Sequence, residues 1–260
     1  MAARPPDGKL RRLGPLLAVS LIPLLAARVL AQGGPPLVTD DPGTPGNRRW
    51  EINVAFLAES RHGERMFETP LIDANYGWGE RFQLKLEIPW VVRAGGREST
   101  RNGLGNALLG VKWRFADEEK SGVAIAFYPQ AEFNVVSSSA QKGLVEKKAG
   151  LLLPLTFAKN LGPLSANLEI GHKLRGDEEP RWFGGLALGR EVSECVELLG
   201  EVFATTSSRF ADTNASWNAG LRWKLGSRVV ALLSGGSGIH GTSETPRTHL
   251  LVYAGTQLLF

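Results

Sequence analysis

The sequence predicts an all-β protein, an antiparallel transmembrane β-barrel of about 12 strands that follows a cleaved signal peptide. Three observations carry that expectation. Apolar and polar residues alternate at period two, the connections between the alternating runs are by turns short and long, and all seven tryptophans fall toward the ends of those runs.

The alternation is clearest in residues 81–93, RFQLKLEIPWVVR. Phe82, Leu84, Leu86, Ile88, Trp90 and Val92 share one face, and Arg81, Gln83, Lys85, Glu87 and Arg93 the other. Marking every such run gives strands at 49–60, 66–78, 81–93, 104–115, 122–135, 148–159, 163–175, 182–190, 195–207, 214–225, 228–236 and 249–260. Most reach the ~9–11 residues that a tilted strand needs to cross a bilayer. Short links at 79–80, 116–121, 160–162, 191–194 and 226–227 alternate with longer polar ones at 61–65, 94–103, 136–147, 176–181, 208–213 and 237–248. Outer-membrane barrels pair short periplasmic turns with longer extracellular loops in this way.

Trp50, Trp78, Trp90, Trp113, Trp182, Trp217 and Trp223 all lie on the apolar faces. With strand one running outward, Trp50, Trp78, Trp113 and Trp223 form a periplasmic membrane-interface girdle, and Trp90, Trp182 and Trp217 an outer one. A soluble β-sandwich also alternates faces, but nothing in it sorts tryptophans to strand ends. Pro89, Pro129 and Pro154 interrupt the pattern and are expected at bulges, because proline cannot donate to a ladder.

The first residues set the compartment. Lys9, Arg11 and Arg12 precede an apolar stretch at 16–27, and a cut before Gln32 makes residues 1–31 a signal peptide. Residues 32–48 then form a periplasmic N-terminal turn segment, and 49–260 the outer-membrane barrel of a Gram-negative bacterium. Five of the 30 basic residues and one of the 26 acidic ones lie before the cut, so the mature chain is balanced in charge. That balance argues against nucleic acid as a partner. Cys195 has no second cysteine to pair with, which excludes an intrachain disulfide framework.

Alternation also nominates the residues that line the lumen: Glu51, Asp73, Arg81, Lys85, Glu87, Lys112, Arg114, Glu132, Glu169, Lys173, Glu197, Glu201, Arg222 and Lys224, with Arg93 on the same face. Asp40 and Asp41 are candidates for the periplasmic mouth. In Thr39-Asp40-Asp41-Pro42-Gly43 they act as turn formers, or fold back to pair with lumenal Lys or Arg. Two adjacent carboxylates supply too few oxygens for Ca²⁺, so no metal is expected, nor any cofactor. The histidines, His62, His172, His240 and His249, come with no nucleophile elbow, and no enzymatic activity is expected.

The stretch PPLVTDDPGTPGNRRWEINVAF, residues 35–56, resembles the opening of the MetA-pathway of phenol degradation family of outer-membrane transporters. Residues 103–115, GLGNALLGVKWRF, are similar to that family's Gly-Leu-Gly-Asp segment, with Asn106 in place of the acidic residue, and VVSSSAQKG departs from its pattern. The resemblance implies a barrel of twelve or a similar number of strands and a role in uptake of aromatic or other small organic compounds. The expected function is therefore a channel or facilitator for passive uptake of small organic solutes, aromatic or hydrophobic ones among them. The alternative is a structural or lipid-active, enzymatic barrel without an open pore. Expected partners are outer-membrane lipid, the solute, and the barrel-insertion machinery, which reads the amphipathic last strand ending at Phe260.

Overall fold

The computed structural model describes residues 1, 34–95, 99–176, 178–243 and 245–260; the signal-peptide assignment lies outside them. Fourteen strands are present among the described residues: β1 (Trp50–Arg61), β2 (Glu64–Trp78), β3 (Phe82–Gly95), β4 (Arg101–Leu104), β5 (Asn106–Ala116), β6 (Ala124–Phe127), β7 (Gln130–Asn134), β8 (Gly150–Leu161), β9 (Leu164–Arg175), β10 (Arg181–Glu191), β11 (Val196–Ser207), β12 (Thr213–Lys224), β13 (Val229–His240) and β14 (Thr248–Leu259). Gly105 divides β4 from β5, and Tyr128-Pro129 divides β6 from β7. Each pair is one strand of the wall, and the wall is a closed antiparallel barrel of 12 strands. Closure comes from β1 against β14, where Trp50 and Phe260 exchange two backbone hydrogen bonds of 3.0 Å. Among the described strands this closure leaves no sheet edge for another chain to pair with.

Side chains are sorted inside out relative to a soluble protein. Val54, Ile72, Leu86, Ile170, Leu186 and Leu233 are exposed on the outer surface, whereas Asn53, Asp73, Gln83, Lys112, Glu169 and Asn218 are buried inside. An apolar outside and polar lumen suit a wall whose solvent is hydrocarbon. Leu233→Arg, at mid-strand on the outer face, is expected to lower the stability of the folded barrel by about 2–4 kcal/mol in lipid vesicles. Denaturant titration of the reconstituted protein measures this, and an unchanged midpoint would deny that Leu233 faces lipid.

The prolines mark where the ladder is interrupted. The Gly105 amide donates to the Pro89 carbonyl at 2.8 Å, and a Cβ on Gly105 would come within 2.6 Å of the Pro89 ring. Across the next breaks, the Val111 amide donates to Pro129 O and the Tyr128 amide to Pro154 O, both at 3.0 Å.

The connections differ from expectation in four places. Between β1 and β2 a tight turn replaces the longer loop: His62 and Gly63 both have positive φ, 42° and 82°, the requirement of a type I′ hairpin turn. Two short helices, α1 (Glu118–Ser121) and α2 (Ser137–Gln141), sit in connections and are too brief to show helical periodicity. β13 continues to His240 because its glycines at 235, 236 and 238 carry no side chain that alternation could register.

Candidate functional site: a plugged lumen

The described part of the N-terminal segment, 34–48, does not stay at the periplasmic mouth. It enters the lumen as a hairpin and is held there by side chains from six strands. Gly34 has φ +73° and closes the hairpin's base, with its amide on Thr39 O at 2.8 Å and its carbonyl accepting from Leu37 N at 3.0 Å. Returning to the rim, Thr44 Oγ1 donates to Glu80 O at 2.9 Å and the Arg48 amide to Gly77 O at 2.8 Å. Gly77 is required there, since a Cβ would fall 1.8 Å from Gly46 O.

At the inner tip, Glu201 on β11 accepts the amides of Val38 (2.9 and 3.1 Å) and Thr39 (2.8 Å), and is steadied by Asn218 Nδ2 at 2.6 Å. Glu169 on β9 accepts the Asp40 amide at 3.0 Å. Lys112 on β5 pairs with Asp40 Oδ1 at 2.9 Å and lies over the Tyr128 ring at 4.7 Å. Arg222 on β12 donates to the Pro35 carbonyl at 2.8 Å and also holds Glu197 at 3.3 Å. Ser234 on β13 donates to Pro36 O at 2.7 Å, and Leu37 packs against Ala187 and Leu199. Carboxylates catching backbone amides are charge-assisted clasps, stronger than neutral hydrogen bonds yet reversible.

The lumen is thereby divided. Beside the plug a gap of ≈ 40 Å³ remains, lined by Asp41, Glu51, Asp73, Lys85, Lys112 and Tyr128, room for little more than a water. Above it opens an inner cavity of ≈ 530 Å³ whose walls include Leu57, Leu71, Leu108, Leu152, Phe183, Phe203, Leu251 and Tyr253. Phe183 and Phe203 stack at 6.3 Å, close to the plug tip. An outer vestibule of ≈ 690 Å³ continues upward past Glu68, Glu87, Leu108 and Glu132 to Leu144, which is buried against Gly103 in the loop after α2.

The nominated residues are distributed among these parts. Glu169, Glu197, Glu201 and Arg222 belong to the clasp; Glu51, Asp73, Lys85 and Lys112 border the gap; Glu87, Glu132 and Lys173 line the cavities above. Lys224 meets Glu191 at 3.7 Å and, with Glu197 and Arg222, lines a further cavity of ≈ 310 Å³. Two do not line the interior: Arg81 binds Asp117 at 2.6 Å, and Arg114 binds Asp117 at 3.1 Å and Glu80 O at 2.8 Å, both at the rim of short turns. They stand at strand ends, where the inward face has already left the lumen. Asp40 and Asp41 likewise lie deeper than a mouth position, level with Glu169 and Lys112. All seven tryptophans are exposed on the outer surface, Trp90 and Trp217 further from their strand ends than the others.

Two groups were missed. Phe183 and Phe203 face inward, Phe203 in phase with Glu197 and Glu201, and are passed over when only charged residues are nominated for the lumen; Glu68 faces inward because the register shifts between Glu68 and Leu71, around Thr69-Pro70, and reverses the alternation. A threonine-proline pair within a strand was the available signal for Glu68.

Loop chemistry at the outer end is structural. Asp212 accepts hydrogen bonds from Thr242 and Thr245 and pairs with Arg181 at 2.7 Å, which hold its pKa down to about 2 and tie three loops together. His172 Nε2 lies 3.4 Å from Ser208 Oγ, but that hydroxyl donates to Pro180 O at 2.6 Å, so its proton points away from the imidazole a nucleophile would need. Among the described residues no group of three or more His, Cys, Asp or Glu side chains is placed to hold a metal ion.

Solved structures share the architecture. The COG4313 outer membrane channel from Pseudomonas putida F1 superposes with a TM-score of 0.67 over 88% of this chain and 100% of that one, at 10% identity. The NanC porin gives 0.54 over 80% and 98% at 6% identity, and the KdgM porin in complex with disordered oligogalacturonate 0.52 over 80% and 99% at 13%. At these identities the likeness concerns the fold. No protein-family model matches the chain, and no curated protein matches it.

Proposed function

We propose that the protein is a passive channel of the Gram-negative outer membrane for small organic solutes, aromatic or hydrophobic ones among them, and that its N-terminal hairpin must shift for them to cross. The observation that carries this reading is the apolar-walled cavity of ≈ 530 Å³ that ends on a plug held by reversible polar contacts. Ligand sites are characteristically concave and mostly apolar with a few placed polar groups, and this cavity has that make-up. The channel and porin neighbours share its barrel. The resemblance of residues 35–56 and 103–115 to the MetA-pathway family supports the solute class. In that membrane the tryptophans occupy the two interfaces, and the last strand, ending at Phe260, is the segment read by the insertion machinery.

The test is conductance of the mature protein in planar bilayers, with and without residues 32–47. Brief or small events that become steady and larger on truncation are expected. Silence from both forms, each verified as folded, would overturn the channel and leave a structural barrel.

A further inference from the structure

Among the described residues, every charged side chain that lines the inner cavity has a partner except Glu68. Lys85 is held by Glu87 at 2.8 Å and Asp73 at 3.4 Å, Lys173 by Glu132 at 3.0 Å, and Arg181 by Asp212 at 2.7 Å. Glu169 takes the Asp40 amide, and Asp40 takes Lys112. Glu68 makes no ion pair and no hydrogen bond among the described residues, although it is turned into the lumen and borders both the inner cavity and the outer vestibule. Glu87, which borders both cavities with Glu68, and Glu132 in the vestibule are carboxylates as well, and the Lys85 and Lys173 ammonium groups of the cavity wall are taken up by Asp73, Glu87 and Glu132. Arg93 borders the vestibule but not the inner cavity, and forms no ion pair with Glu68.

We infer that Glu68 is the binding site for the cationic head of an amphipathic organic amine, whose apolar body lies against Leu57, Leu71, Leu251 and Tyr253. A partly buried carboxylate left without a partner costs free energy in the empty protein, and a cation recovers it. The apolar wall beside it sets the rest of the chemistry: a small ring or short hydrocarbon, not a sugar. An anionic solute such as an aromatic carboxylate meets repulsion at the same point, so selection runs amine over neutral over acid. The inference rests on the lumen being the solute path, and it narrows the solutes to a class.

Isothermal titration calorimetry of the full mature protein in detergent, with benzylammonium, benzyl alcohol and benzoate as probes, tests it. Benzylammonium is expected to bind about tenfold or more tighter than benzyl alcohol, with benzoate weakest, as a charge-assisted contact implies. Glu68→Gln should abolish the preference for benzylammonium and leave benzyl alcohol unchanged. The ranking on the unmutated protein needs no variant, so a misfolded Glu68→Gln chain would not obscure it. Equal binding of benzylammonium and benzyl alcohol would overturn the amine site while leaving the apolar cavity intact. Binding of none of the three would overturn the site and count against the cavity as a solute path.

Discussion

Replacing Glu201 by alanine is expected to convert a mostly closed barrel into one that conducts for a large fraction of the time. The carboxylate is the acceptor for two consecutive plug amides, Val38 and Thr39, at the hairpin's tip, and Thr39 is fully buried. Hydrogen bonds to a charged acceptor contribute about 1.5–3 kcal/mol each, and orphaning a buried amide carries its own cost. Water entering the space left by the side chain recovers part of this, which leaves about 2–4 kcal/mol lost from the docked state. Each 1.4 kcal/mol is tenfold in an equilibrium, so the undocked population rises by about 30-fold or more. Single-channel open probability reads that shift directly. Asp40→Asn provides an internal comparison: Glu169 keeps the Asp40 amide and only the Lys112 ion pair is lost, so its effect should be smaller. A Glu201→Ala protein that is folded and indistinguishable from the unmutated channel would show that the clasp does not govern closure.

The clasp also shows what could and could not be read from the chain. The barrel was legible because hydrocarbon imposes one rule on the whole outer surface, so runs such as residues 81–93 repeat it without exception. The lumen obeys no such rule. Its walls carry Lys112 and Glu169 on some strands and Phe183, Leu232 and Tyr253 on others, because each inward side chain answers to its neighbours across the barrel. Glu201 and Arg222 were recognisable as inward, but not as partners of Val38 and Pro35, since those contacts join residues more than 160 positions apart through backbone groups that every sequence possesses. Glu68 was lost to one bulge, as a single register step exchanges the two faces of a strand. The segment 34–48 reads correctly as turn chemistry; that the turn is built inside the lumen depends on the carboxylates waiting there.

Gly185→Leu should open the channel by a different physical cause. Gly185 lies on the lumenal face of β10 beneath the plug tip, and a Cβ there would fall 2.1 Å from Thr39 Oγ1, 3.2 Å from Thr39 Cβ and 2.8 Å from the Phe203 ring. Alanine is a mild version, because Thr39 Oγ1 has no hydrogen-bond partner and can rotate aside. Leucine extends past Cβ into the volume that Thr39 occupies, and the tip cannot remain docked. The backbone ladder of the wall is kept, since a side chain replaces glycine in a strand interior, where glycine is unfavourable, although the Phe203 ring has to shift. The undocked population is therefore expected to rise by at least the factor predicted for Glu201→Ala, with the barrel still folded. The double variant discriminates further: a plug that has already left cannot be released again, so Gly185→Leu with Glu201→Ala should conduct no more than the stronger single variant. If Gly185→Leu instead conducts less than the unmutated protein, the leucine has filled the lumen with the hairpin still in place, and the plug is a fixed part of the barrel, not its gate.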